Sequence, residues 1–175
     1  VTQFRQTEGY TWEYSAVLDF TLADGESPFL VLEGVDYAFD IFIGEQLCLE
    51  HEGMFTRVEV PLTVQNAGQT LTVRIHPHPI RESAEHEDRQ QADQCVKPPV
   101  CYEWDWHPRM LVSGIWQDAY VETRYTDYIA RCEAFYTLTD DLSRADLWFE
   151  TNCAAPVTLT LYDPDGVKIG TGSRF

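Results

Sequence analysis

The sequence predicts an all-β protein, and three observations carry that prediction. Apolar and polar residues alternate in short runs, turn-forming clusters punctuate the runs, and no long segment repeats its apolar residues at the 3.6-residue helical period. TWEYSAVLDFTL (11–22) sets Trp12, Tyr14, Ala16, Leu18, Phe20 and Leu22 on one face of a strand. ADGES (23–27) is a turn cluster, after which Phe29 to Leu32 and Ala38 to Ile43 read as strands. Gly44 marks the turn before Gln46-Leu47-Cys48. TRVEVPLT (56–63) and TLTVRIHP (70–77) are further alternating runs with QNAGQ between them. Residues 80–94 are almost wholly polar and predict a short exposed helix or a mobile excursion with a solvated face. Strand signals resume at VCYEWDW (100–106) and SGIWQDAYVETRY (113–125).

Near residue 123 the texture changes. ARCEAFYTLTDDLSRADLWFETN and APVTLTLYDPDGVKIGTG show closely spaced short strands, with Asp163-Pro164-Asp165-Gly166 as a hairpin turn. The pattern predicts two domains, residues 1–122 and 123–175. The second is expected to be an incomplete β-sandwich, because an isolated partial sandwich would leave an open core and an unpaired edge in water. The chain is therefore expected to be part of a longer protein.

Composition narrows the partners. Twelve Lys+Arg against 29 Asp+Glu give 175 residues a formal charge of −17. That field repels phosphate backbones and anionic lipid headgroups, so neither nucleic acid nor a membrane is an expected partner, and a neutral ligand suits it better. No apolar run approaches the roughly 20 residues of a membrane span. Five cysteines (Cys48, Cys95, Cys101, Cys132 and Cys153) lack CxxC spacing, which argues against a zinc site or a disulfide framework. The set tilts toward a reducing, cytoplasmic compartment. Cys95 and Cys101 remain able to close a small loop across Pro98-Pro99.

The densest chemistry lies in CYEWDWHPRMLVSGIWQDAYVE (101–122), which holds three of the five tryptophans. On a regular strand Trp104 and Trp106 share one face and Asp105 takes the other. If the backbone bends, all three can line one rim. Indole faces stack on the C–H side of a pyranose, and a carboxylate accepts hydrogen bonds from neighbouring hydroxyls. Two readings stand: sugar contact, or Trp104 and Trp106 as core with Asp105 as a solvated strand residue. His107 is able to donate to a ligand hydroxyl or to serve structurally. Arg109 suits a bidentate pair with Asp105 or Asp118. His76 and His78 share a face at strand spacing, a weak metal pattern, and no metal or other cofactor is expected. Asp36 reads as a turn residue. Glu103 and Asp105 have glycosidase-like spacing but no catalytic signature around them, and no GxSxG, HExxH, phosphate loop or Cys–His arrangement occurs. No catalytic residue is expected in this chain.

WEYSAVLDF, FLVLEGVDYAFDIFIGEQL, EGMFTRVEVPLT, LTVRIHPHP and KPPVCYEWDWHPRMLVSGIWQDAYVE, in this order, resemble the N-terminal region of glycoside hydrolase family 2, closest to its β-mannosidase-like branch. The most specific pieces are W-D-W-x-P-R and the G-I-W that follows it. The resemblance covers residues 10–122 well, and 123–175 more weakly as the start of an immunoglobulin-like sandwich. It implies a jelly-roll, galactose-binding-like sandwich that is not itself catalytic and leans on a (β/α)8 catalytic barrel, lending a loop to the active-site rim. It implies a substrate-binding role for Asp105, with Trp104, Trp106 and His107 beside it, and a supporting role for Arg109 and Trp116. The partner it implies is a sugar or oligosaccharide, bound weakly without the barrel. Only eleven residues precede Trp12 where the family has several dozen, the N-G turn is Ile43-Gly44, and the barrel is absent. The alternatives are a free-standing carbohydrate-binding module, or a structural β-sandwich with all five tryptophans in cores.

Overall fold

A computed structural model of the protein describes residues 7–79, 91–92 and 95–174. Its regular structure is antiparallel strand, and the chain divides into two compact units, residues 1–123 and 124–175.

The first unit contains β1 (Trp12–Val17), β2 (Ser27–Leu32), β3 (Val35–Asp36), β4 (Ala38–Ile43), β5 (Gln46–Glu52), β6 (Val58–Pro61), β7 (Thr70–Ile75), β8 (Gly114–Ile115) and β9 (Ala119–Arg124). Four strands form a sheet in the order β1-β7-β4-β5, and three form another in the order β6-β2-β9. Period-two alternation sends Phe39, Ile41 and Ile43 of β4, with Val73 and Ile75 of β7, into one core. Leu30 and Leu32 of β2, with Val58 and Val60 of β6, meet them there. A smaller cluster of Tyr37, Met54, Cys95, Tyr102 and Leu111 lies outside that core.

Two expectations need correction. The first strand ends at Val17 rather than Leu22, and every residue of β1 is exposed. As the edge of its sheet, β1 borders an open apolar groove of about 460 Å³ between Tyr14, Leu18, Leu71 and Val73 on one side and Leu30 and Val121 on the other. The stretch 100–106 is not a strand. Pro98 and Pro99 lack backbone donors for a ladder. The chain instead makes a 3-10 turn over Pro99–Tyr102 and then a tight reversal. The polar stretch expected at 80–94 falls largely outside the described residues, which include only Gln91 and Ala92 of it.

The second unit consists of two hairpins, β10 (Cys132–Leu138) with β11 (Ala145–Thr151), and β12 (Val157–Tyr162) with β13 (Lys168–Arg174). At the turn of the second, Asp163 Oδ1 accepts from the backbone N–H groups of Asp165 and Val167, and Gly166 supplies the required φ of 81°. Phe135 stacks on Trp148 with ring centres 5.6 Å apart. Apart from Arg124, no described residue of this unit is buried.

Candidate functional site

The loop between Lys97 and Gly114 has an exposed tip and a buried base. At the tip the backbone N–H groups of Trp104 and His107 each donate to the other's carbonyl, at 2.9 and 3.0 Å. This closes a tight turn with Asp105 and Trp106 at its centre. Just before it, Glu103 takes φ 110°, outside the usual range for a residue with a side chain, and turns the chain into the reversal. The bend brings the two indoles together edge to face, 5.5 Å apart, with the exposed Asp105 between them in sequence. Trp104 is 37% exposed and Trp106 76%. The core reading of these two residues is thereby corrected. So is the alternative of a structural sandwich with all five tryptophans in cores, since Trp12, Trp116 and Trp148 are exposed as well. His107 lies beside the turn, and its Nδ1 is shut off from solvent with no hydrogen-bond partner among the described residues.

Below the tip, the Met110 N–H donates to the Cys101 carbonyl at 2.9 Å and joins the two arms of the loop. The Arg109 guanidinium lies 5.6 Å over the Tyr102 ring and pairs with both oxygens of Glu8, and Nη2 also donates to Gln91 Oε1. Its bidentate partner is thus Glu8 rather than Asp105 or Asp118, across 101 residues of sequence. Tyr102 Oη and Cys95 Sγ are 2.8 Å apart, and burial pushes both the hydroxyl and the thiol above their ordinary pKa. Cys95 and Cys101 are both free thiols.

The base is charged and buried. Lys97 Nζ donates to Asp36 Oδ2 and, at 3.0 Å, to the Val112 carbonyl. The side chains of Lys97 and Asp36 are 2% and 5% exposed. His78 Nε2 bonds Asp36 Oδ1 at 3.0 Å, its Nδ1 lies 3.4 Å from Ser113 Oγ, and Tyr37 stacks on its ring. The strand β8 that ends the loop pairs Gly114 with Asp36 and Ile115 with Val35. Trp116 completes the fastening. Its Nε1 donates to the Met54 carbonyl at 2.9 Å, its N–H donates to the Gly34 carbonyl, and its ring meets Phe55 edge-on. Gly34 is required there, since a Cβ would sit 2.6 Å from that Nε1.

His76 and His78 do not converge on one site: His76 bonds Asp40 at 2.8 Å, whereas His78 bonds Asp36. The residues that sequence reasoning missed are Asp36, which is a buried ion-pair partner and not a turn residue, and Lys97. The available signal was chemical: a lysine directly before Pro-Pro, in a chain with so few cations, is costly to bury unless an acid waits for it.

Residues 2–117 match the family model described as "Glycosyl hydrolase 2 galactose-binding domain-like". Among characterised proteins, the chain is 26% identical over 153 residues to β-mannosidase B of Emericella nidulans, an alignment covering 77% of this chain and 18% of that protein. Among solved structures, the β-D-mannosidase of Dictyoglomus thermophilum superposes with a TM-score of 0.76 at 18% identity, over 99% of this chain and 23% of the other. The β-glucuronidase of Parabacteroides merdae gives 0.67 at 12% identity, over 94% and 22%. The chain therefore spans a minor part of the length of the relatives it matches.

Proposed function

Since the chain belongs to the glycosyl hydrolase 2 galactose-binding domain-like family, we propose that it is the non-catalytic first part of a β-mannosidase-type exo-glycosidase, and that its Trp104–His107 turn forms one rim of the active site. The observation that carries this reading is the tip itself, where a tight turn projects two indoles and a carboxylate into solvent together. Asp105 is the acceptor for paired hydroxyls of the terminal sugar, and Trp104 or Trp106 is the wall against its C–H face. Burial of these groups against the sugar and the rest of the enzyme would strengthen hydrogen bonds that water otherwise competes for.

The chemistry belongs to the longer polypeptide. A retaining hydrolase needs a nucleophile and an acid/base about 5–5.5 Å apart, and in this reading both come from a (β/α)8 barrel outside residues 1–175. The names of the mannosidase relatives and the small share of each that this chain spans support that division of labour. A charge of −17 suits a neutral glycoside. The test is steady-state kinetics of the full-length enzyme on an aryl β-mannoside. Asp105→Ala should lower kcat/KM by tenfold or more, about 1.4 kcal/mol of transition-state stabilisation. An unchanged value removes Asp105 from the site. Residues 1–175 alone should show little heat on titration with mannose or mannobiose. Binding by the isolated chain would instead favour a self-sufficient carbohydrate-binding module.

A further inference from the structure

We propose that Asp36 and Lys97 are positioning residues for the sugar-contacting tip, a role that rests on the reading of Asp105 above. They act through a clamp that holds both stems of the loop to one point. Lys97 begins the loop, and its ammonium reaches the Asp36 carboxylate and the Val112 carbonyl on the returning stem. Ser113 is tied to the other oxygen of Asp36 through His78. Gly114 pairs with Asp36 along the backbone. Entry and exit of the loop are therefore fixed to the same side chain.

Stability alone accounts poorly for this choice of residues. Removing a lysine and an aspartate from water is costly, and apolar residues of similar volume commonly serve stability as well or better. What a buried ion pair supplies that a methyl cluster does not is one defined geometry. That matters here because the β3–β8 ladder ends at Asp36 and Gly114, and although Trp116 fastens its far side, no ladder pair holds the stem before Gly114. Above the clamp, the Met110–Cys101 hydrogen bond and the Arg109–Tyr102–Cys95 stack carry the set geometry up to the turn. Lysine fits the post because its compact ammonium carries donors for both the carboxylate and the carbonyl.

The test combines Asp36→Asn with Lys97→Met in the full-length enzyme. The pair of changes removes both charges together and leaves an oxygen for His78, but deletes the donor to Val112. Hydrogen exchange followed by mass spectrometry should show peptides over residues 98–113 exchanging at least tenfold faster, with β4 and β7 unchanged. The value of kcat/KM on an aryl β-mannoside should fall at least tenfold, and adding Asp105→Ala should lower it little further, because one contact has already been misplaced. Unchanged exchange over 98–113 overturns the proposal, as does full multiplication of the two losses. Faster exchange in the loop with full activity, in an enzyme where Asp105→Ala is also silent, supports the clamp and removes the functional reading instead. Should the double variant fail to fold, Ser113→Ala loosens the same stem with the ion pair intact. It should shift exchange and kcat/KM in the same directions by a smaller factor, and a Ser113→Ala enzyme identical to wild type in both overturns the clamp.

Discussion

The base and the tip of one loop are built on opposite rules. At the base, Lys97, Asp36 and His78 are buried, and their polar groups find partners within the protein. At the tip, Asp105 is exposed, and Trp104 and Trp106 offer apolar area to solvent and belong to neither core cluster. Charge lies where a folded chain usually puts hydrocarbon, and hydrocarbon where it usually puts charge. The inversion makes sense if the base fixes a conformation and the tip meets a ligand. Exposed indoles cost little in stability when left alone, and they gain much when covered by a sugar ring. Removing one member of the base leaves the other charge buried and unpaired, whereas the tip is free to vary without unfolding the chain.

Substitutions separate the two regions by size of effect. Lys97→Met on its own leaves the Asp36 carboxylate buried without its cation. It should destabilise the chain by about 3–5 kcal/mol in urea titration. A loss under about 1 kcal/mol would mean that water reaches the pair. Gly34→Ala comes next, because the new methyl must displace the Trp116 ring that the Met54 carbonyl holds in place. About 1–3 kcal/mol should be lost, and Trp116 emission should shift as the indole moves. Trp106→Ala, at the tip, should change stability by less than about 1 kcal/mol. A larger cost would show that the tip packs as the base does.

The smallest expected effect lies outside the loop, at the turn of the β10–β11 hairpin. Asp141 Oδ1 accepts from the Thr139 hydroxyl and from the Ser143 N–H and hydroxyl, which lowers its pKa to about 2. A carboxylate with a depressed folded pKa stabilises the fold above its unfolded value, near 3.9, and loses that contribution as pH falls through the folded one. The protection of the Ser143 amide, its exchange measured against the intrinsic rate at the same pH, should therefore fall between about pH 4 and pH 2. Asp141→Asn should show the lower protection throughout that window. Full exposure of the turn keeps the effect small.

The same contrast explains what the sequence made legible. Strands β4, β6 and β7 were readable because their alternation is local, and each faces a core on one side only. The Trp104–Asp105–Trp106 stretch was readable as a cluster, because three of the five tryptophans fall within residues 101–122. The base was hidden. Asp36 sits in a turn-like EGVDY stretch, and its cation lies 61 residues away, so no local pattern joins them. Glu8, which holds Arg109, was hidden for the same reason. The misreading of 100–106 as a strand has another cause. Cys-Tyr-Glu-Trp-Asp-Trp alternates as a strand would, but prolines upstream and the reciprocal Trp104–His107 hydrogen bonds fold it into a turn.

The most direct measurement compares stability and catalysis in one variant of the proposed full-length glycosidase. With Asp105→Ala, the urea midpoint should stay at the wild-type value while kcat/KM on an aryl β-mannoside falls by tenfold or more. A variant that keeps both its midpoint and its kcat/KM would contradict the account, leaving Trp104, Asp105 and Trp106 as a surface turn with no sugar to meet.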